Sequence, residues 1–253
     1  MWLLRQPHSL YGKMIDLNKI PTHVAVIMDG NGRWAAKNRV NRISGHNAGM
    51  ESMKNIVRKA SDLGIKYLTV YAFSTENWKR TEEEVSGIFK LLVKFVKLDL
   101  DELCEKNVKV MVMGDYSVIP DNAKKSLEKT MEKTKDNTGL QFNIALNYGS
   151  RAEILRGINN IIADEKKRKI NLPIDEKLFS KYLYTGDECG NVPDPDLIIR
   201  TSGEQRLSNF LLWQCAYSEF AFTDTLWPDF TREEFEQIIE KYQNRERRFG
   251  GRN

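Results

Sequence analysis

Five short runs along the chain are dense in Val, Ile, Leu, Phe and Tyr, and each breaks off into polar residues. They are residues 23–28 (HVAVIM), 66–73 (KYLTVYAF), 108–114 (VKVMVMG), 140–149 (LQFNIALNYG) and 196–204 (DLIIRTSGE). Near-continuous apolar runs of this length mark strands buried on both faces. Between them the apolar positions recur at helical spacing. From Asn47 to Leu63 they are Met53, Ile56, Val57, Ala60 and Leu63, stopped by Gly64, and a longer helix carries Val85, Ile88, Phe89, Leu92, Phe95, Val96 and Leu103. A polar helix is predicted over 121–135, another helix over 151–164, a buried one over 209–220 (NFLLWQCAYSEF) and an amphipathic one over 232–248. Strands alternating with helices predict a single α/β domain, with a central, mainly parallel sheet flanked by helices. Residues 185–196 (TGDECGNVPDPD) follow neither period and are expected to form the loosest surface loop.

Composition narrows the partners without choosing one. The 253 residues, 41% hydrophobic, suffice for one large core, and no repeat, low-complexity tract or linker divides them. Residues 1–20 read as a lead ahead of one domain over 21–253. A net charge of +4 is a weak argument for nucleic acid and suits a small anionic substrate equally. The three cysteines (Cys104, Cys189, Cys215) show no CxxC spacing, which points to a reducing compartment, with Cys104 and Cys215 as core fillers. The three histidines (His8, His23, His46) have no metal-ligand spacing. No signal peptide and no membrane-length apolar run is visible, so a cytoplasmic location is expected.

Three of the predicted strands end in polar clusters: Asp29–Arg33, Ser74–Arg80 and Arg200–Ser208. Parallel topology carries such ends to one sheet edge. There Arg33, Arg42, Arg80, Arg200 and Arg206 would converge with few compensating acids. The planar fork of arginine suits phosphate oxygens, so several together imply a polyanion with two or more phosphates. Gly30 and Gly32 let backbone N–H groups approach it. Asp29 would repel a bare phosphate and makes better sense holding Mg²⁺ that bridges to one. Known phosphate motifs are absent: there is no GxxxxGK[ST], and GNGRWA lacks the third glycine of GxGxxG. Neither a GxSxG elbow nor a DDxxD box occurs. Singly, each piece has an ordinary structural reading. D-G-x-G is a turn signal, Trp34 and Trp78 suit packing, His46 suits a helix cap, and Glu219 suits an ion pair. Convergence at one edge is what points to a site.

Longer stretches carry a resemblance. HVAVIMDGNGRWA, RISGHNAG, YLTVYAFSTENWKR, FNIALNYGSR, DPDLIIRTSGEQRLSNFLLWQCAYSEFAFTDTLWPDF and RERRFGG, in order and spacing over nearly all of 23–251, resemble the cis-prenyltransferases, nearest to the bacterial members that make undecaprenyl diphosphate. The resemblance implies a homodimeric, Mg²⁺-dependent α/β enzyme with an apolar tunnel. It would add isopentenyl diphosphate repeatedly to an allylic diphosphate, usually farnesyl diphosphate, with each new double bond cis, for the cell-wall lipid carrier. By that likeness Asp29 is the catalytic, metal-linked carboxylate and Glu219 helps bind the metal. Gly30, Asn31, Gly32 and Arg33, with Trp34, Arg42 and His46, hold the allylic diphosphate. Ser74, Thr75, Glu76, Trp78 and Arg80 form a loop that closes over the substrates, while Arg200, Arg206, Leu207 and Ser208 hold isopentenyl diphosphate. Asn77 is the family's proposed proton acceptor, although a neutral carboxamide has almost no basicity and suits orienting a diphosphate oxygen better.

Expected tunnel walls are Ala72, Phe89, Leu92, Phe95, Leu140, Phe142 and Ile144, and tight tail binding implies product release aided by a transient membrane contact. The tail Arg248-Phe249-Gly250 is implied to cross the dimer interface. Two departures from the family pattern are Thr81, where proline is common, and a longer 185–196 connection just before Arg200. The rival readings are a short-chain cis-prenyl diphosphate synthase and a non-catalytic partner subunit, the latter disfavoured because Asp29, Arg33, Asn77, Arg206 and Glu219 are all present. A nucleic-acid binder fits worst, because the arginines sit in motif loops rather than on a basic face.

Overall fold

The computed structural model describes residues 15–245. Most of the N-terminal lead and the Arg248-Phe249-Gly250 tail lie outside the described residues. Six strands form one sheet: β1 (His23–Ile27), β2 (Tyr67–Ser74), β3 (Lys109–Met113), β4 (Gln141–Tyr148), β5 (Leu197–Arg200) and β6 (Glu219–Phe222). Their order is β3-β4-β2-β1-β5-β6, and every neighbouring pair is parallel. All strand C-termini therefore share one edge. The helices are α1 (Asn31–Lys37), α2 (Arg42–Asp62), α3 (Glu82–Leu98), α4 (Leu100–Glu105), α5 (Asp121–Thr134), α6 (Ser150–Lys166), α7 (Glu176–Lys181) and α8 (Arg232–Gln243).

Local chemistry accounts for most boundaries. Asn41 caps α2 by accepting from the Ser44 N–H, and Gly64, at φ +79°, follows its end. Thr81, the residue that departs from the family's proline, caps α3 by accepting from the Glu84 N–H, with Glu82, Glu83 and Glu84 in the first turn where the helix dipole favours acids. The predicted long helix through Leu103 is broken at Asp99, which joins α3 to α4. The largest correction concerns 209–220. This segment is buried, with Phe210 and Leu211 fully inaccessible, but it is a chain of turns and not a helix. Ser208, Asn209 and Leu211 all have positive φ, and the Leu212 N–H donates to the Ser150 hydroxyl instead of to a helical carbonyl. Its last two residues begin β6, a strand that the pattern did not suggest.

The core has two layers. Helices α2, α3, α5 and α8 pack Met53, Ile56, Phe89, Leu92, Leu127 and Phe235 against Val24, Val70, Phe142 and Ile144. The opposite face, with Ala25, Ile198, Ala145 and Tyr148, is covered by Tyr184, Cys189, Val192 and Phe210. Residues 185–196 are thus a lid on the sheet and not a loose loop. Cys189 is the buried cysteine, while Cys104 and Cys215 are only half-buried.

A chain of buried polar groups pins that lid. His23 Nδ1 lies 2.6 Å from the Pro193 carbonyl, which can only accept, so Nδ1 carries the proton and Nε2 accepts from Thr69 Oγ1 at 2.7 Å. Asn143 donates to Thr69, and Gln141 donates to both Asn143 Oδ1 and the Cys189 carbonyl. Because His23 begins β1 and Asp196 precedes β5, the lid lies at the strand N-termini, opposite the clustered loops. Burial lowers the His23 pKa to about 4, against the raising effects of Pro193 and the Asp196 charge. The unfolded chain protonates this ring near pH 6.5 and the folded one does not, so stability is complete above pH 6.5 and declines as pH falls toward 4. The loss should reach about 3 kcal/mol. Urea unfolding between pH 7 and 4 should show this decline, and a His23→Gln variant should show a shallower one.

Candidate active site

Strands β1, β2 and β5 deliver Asp29, Ser74 and Arg200 to the same edge, around an open cleft of about 730 Å³. The chain leaves β1 through Gly30 at φ +115°, where a Cβ would sit 3.1 Å from Leu226 Cα and Ser202 Cβ, so only glycine fits. It then enters α1, whose first turn has no side-chain cap.

At the centre, Asp29 Oδ2 accepts from Arg200 Nη2 at 2.9 Å and lies 3.3 Å from Arg33 Nη2. Arg33 also donates to the Ser202 carbonyl at 2.9 Å and pairs with Glu204 at 3.2 Å. The Arg200 side chain is only 5% exposed. It donates to Ser208 Oγ at 2.7 Å and to the Arg206 carbonyl, which holds the loop after β5 against the cleft. Its Nε is buried without a hydrogen-bond partner.

A second charge cluster sits on the other wall. Glu84 is 7% exposed and receives His46 Nε2 at 3.1 Å, Arg80 Nη1 at 3.0 Å and Arg42 Nη1 at 3.3 Å. Burial would raise the Glu84 pKa, but the His46 hydrogen bond and the two guanidiniums outweigh it and hold the carboxyl below its usual range. Burial, with help from Arg80 and Arg42, lowers the His46 pKa despite Glu84, which leaves a neutral imidazole at pH 7. Sequence reasoning missed Glu84. Its one signal, three acids opening α3, reads as ordinary helix-dipole chemistry.

Hydrogen bonds hold the loop after β2 in a set shape. Asn77 Oδ1 accepts from the Ser74 N–H at 3.0 Å in a reciprocal cap, so its amide group is the part left for other partners. Glu76 accepts from Asn209 at 3.0 Å. Tyr71 stacks on Phe210 at 4.4 Å, and burial pushes its phenol pKa up.

Of the residues singled out in the sequence, Asp29, Gly30, Asn31, Gly32, Arg33, Arg42, His46, Ser74, Glu76, Asn77, Arg80, Arg200 and Ser208 line the cleft. Tyr71, Glu84 and Asn209 join them unannounced. Thr75, Arg206 and Leu207 are outside the lining; Arg206 pairs with Glu204 at the rim. Trp34 faces away, donating to Asp229 at 2.7 Å, and Trp78 packs on Phe73 and Phe89 while donating to Asn147. Glu219 does not meet Asp29 within the chain. In register it pairs with Leu197, level with Val24, whereas Asp29 lies beyond Ile27. The two are at least about 10 Å apart along the strands, and Glu219 is paired with Arg245 at 2.7 Å.

This donor set fits Mg²⁺ only where a ligand supplies further oxygens. No cluster of three or more His, Cys, Asp or Glu among the described residues could cage a metal. Asp29 beside Arg33 and Arg200 matches the way Mg²⁺ binds through one or two carboxylates plus phosphate oxygens and water.

The pattern of the prenyltransferase family described as undecaprenyl diphosphate synthase matches residues 27–250. The chain belongs to this family. An isoprenyl transferase of Clostridium perfringens is 56% identical over 92% of this chain and 91% of its own. The ditrans,polycis-undecaprenyl-diphosphate synthase of Micrococcus luteus, (2E,6E)-farnesyl-diphosphate specific, is 51% identical over 99% of this chain and 100% of its own. Among solved structures, lavandulyl diphosphate synthase of Lavandula x intermedia, in complex with dimethylallyl diphosphate, superposes with a TM-score of 0.89 at 35% identity over 92% of this chain and 100% of that one.

In this prenyltransferase the cleft runs into a narrow apolar chamber between α2, α3 and the sheet. Met28, Asn31, His46 and Ala72 line both spaces and so form the neck between them. Of the expected tunnel walls, Ala72, Leu92 and Ile144 line the chamber. Phe89, Phe95, Leu140 and Phe142 do not line it; they pack in the surrounding core.

Proposed function

We propose that the protein condenses isopentenyl diphosphate repeatedly onto an allylic diphosphate, with farnesyl diphosphate as primer. The product is a cis-polyprenyl diphosphate of undecaprenyl length for the cell-wall lipid carrier. One observation carries this reading: the arginine-rich cleft at Asp29 opens directly into an apolar chamber. A diphosphate head and a hydrocarbon tail need those two environments side by side.

Arg33, Arg42, Arg80 and neutral His46 bind the allylic diphosphate and orient its leaving oxygen. Asp29 would hold Mg²⁺, which when bound would supply charge neutralisation at the leaving group. Arg200 and the loop it holds, with Arg206 and Ser208, position isopentenyl diphosphate. The Asn77 amide, with its Oδ1 already engaged, orients the diphosphate oxygen that takes the proton. Each added unit gains burial in the chamber, about 0.8 kcal/mol per carbon at most, which favours retention until the chain is full. An exposed apolar stripe on α6, with Leu155, Ile158 and Ile162 one to two turns apart, supports a homodimer. No helix of the described residues is long and apolar enough to cross a membrane.

Incubation with labelled isopentenyl diphosphate, farnesyl diphosphate and Mg²⁺, with products resolved by length, tests the reading. Long cis products support it; products of one or two additions would make the protein a short-chain synthase, and none would overturn it. Ala72 stands in the neck, so Ala72→Leu should shorten the product distribution with little change in the rate of the first addition. An unchanged distribution would remove Ala72 from the path of the chain.

A further inference from the structure

The helix that walls the chamber has an outward face of opposite character. Toward the chamber α3 presents Ile88, Leu91 and Leu92. On its other side Lys90, Lys94 and Lys97 are all exposed, at the i, i+4, i+7 spacing that sets side chains in one row, about 10 Å long. No acid interrupts the helix from Val85 to Leu98. The acids around it are engaged elsewhere or lie past its ends. Glu84 is held by His46, Arg42 and Arg80, Asp99 by Lys54 and Glu102 by Arg58. Glu82 and Glu83 stand in the first turn, and exposed Asp101 follows on α4.

Apolar side chains are exposed at both ends of the lysine row. Leu98, 67% exposed, follows Lys94 by one turn. At the other end lies a groove of about 430 Å³, with Trp78, Val85, Phe89 and Pro120 as its apolar walls and Arg80, Glu82 and Lys90 as its charged ones. Trp78 is 40% exposed, and Val118, two residues before Pro120, is 60% exposed. A cationic row between exposed apolar ends suits the surface of an anionic bilayer. The ammonium groups meet lipid phosphates there, and the leucine, valine and tryptophan side chains enter the headgroup layer.

We propose that this face of α3 docks the protein on an anionic bilayer, and that docking speeds release of the product. The docking rests on the geometry of the face; the release step rests on the reading of the protein as a polyprenyl diphosphate synthase. One helix then touches the held tail on one side and lipid on the other. Hydrocarbon leaving the chamber meets acyl chains beside it instead of water.

The test sediments the full-length protein with vesicles of phosphatidylcholine, alone or mixed equally with phosphatidylglycerol. The wild type should bind the mixed vesicles only, and less at high salt. Lys90→Gln, Lys94→Gln and Lys97→Gln combined keep the helix propensity of α3. Together they should weaken binding about a hundredfold, at about fivefold per lysine. The same change at Lys166, Lys167 and Lys169, exposed at and just past the end of α6, removes equal charge and should weaken binding a few-fold at most. Leu98→Ser should also weaken binding, and serves if the triple variant does not fold. With labelled isopentenyl diphosphate, farnesyl diphosphate and Mg²⁺, mixed vesicles should raise the steady-state turnover of the wild type and not of the triple variant. The rate of the first addition should be the same in both. A wild type that binds no vesicle overturns the docking, and so does binding that survives the triple change or falls equally in the α6 control. Binding with no gain in turnover overturns the release step alone. A wild type that makes no polyprenyl product overturns the functional reading and the release step with it, while sedimentation still decides the docking.

Discussion

Asp29→Ala should leave a folded protein whose turnover falls at least about a thousandfold, roughly 4 kcal/mol of lost transition-state stabilisation. The fold should survive because the loop is held by its backbone: the Asp29 N–H donates to Thr201 Oγ1 at 3.0 Å, and the Asp29 carbonyl accepts from the Trp227 N–H at 3.0 Å. The side chain contributes its pairing with Arg200 and Arg33, and its loss, which leaves the buried Arg200 guanidinium without a carboxylate, should lower the melting temperature without unfolding the protein. Arg200 keeps Ser208 and the Arg206 carbonyl as acceptors, so isopentenyl diphosphate should still bind, and the residual rate should lose its dependence on Mg²⁺. The check is kcat against Mg²⁺ concentration alongside thermal melting. Near-normal turnover in a folded variant would remove Asp29 from the chemistry.

Arg200→Met should cost both activity and stability. The guanidinium ties Asp29, Ser208 and the Arg206 carbonyl together from a buried position, so its loss frees the β5 loop and leaves Asp29 with Arg33 alone. Breaking one side of a buried charge pair typically costs about 3–5 kcal/mol. Part of that should appear as a lower melting temperature and part as a raised KM for isopentenyl diphosphate. Arg200→Lys should not rescue, because a point charge on a flexible stem cannot span three acceptors that a planar fork reaches at once. Full rescue by lysine would mean that charge alone matters here and the fork does not.

Much of the cleft was legible before any coordinates. Short apolar runs ending in Asp29, Ser74 and Arg200 could be assigned to one edge because parallel pairing leaves no alternative once helices alternate with strands. Residue type then did the rest, since glycine, arginine and a lone carboxylate at such an edge have few other uses. Glu84 was not legible. Its role as common acceptor for Arg42, His46 and Arg80 depends on α3 packing beside α2, and three successive acids at a helix start look the same whether they face water or a cleft.

Three further features show where local pattern runs out. Residues 209–220 are as apolar as a buried helix, and Phe210 and Leu211 are buried. The turns were decided by positive φ at Ser208, Asn209 and Leu211 and by the hydroxyl of Ser150, a partner some sixty positions away in the chain. Residues 185–196 read as loose because they lack periodicity, yet Pro193 and Cys189 offer carbonyls to His23 and Gln141 beneath them. Glu219 was grouped with Asp29 by resemblance, and strand register places it at the other end of the sheet in this chain. By itself the sequence determined five of the six strands, that their ends would gather, and that the gathered residue types suit a phosphate-rich ligand, because periodicity and side-chain chemistry are properties of the chain. Only the tertiary structure decided which charges meet, which apolar residues line open space and which fill core, and which polar groups find partners. Those outcomes turn on distances of a few ångströms between segments that the chain keeps far apart.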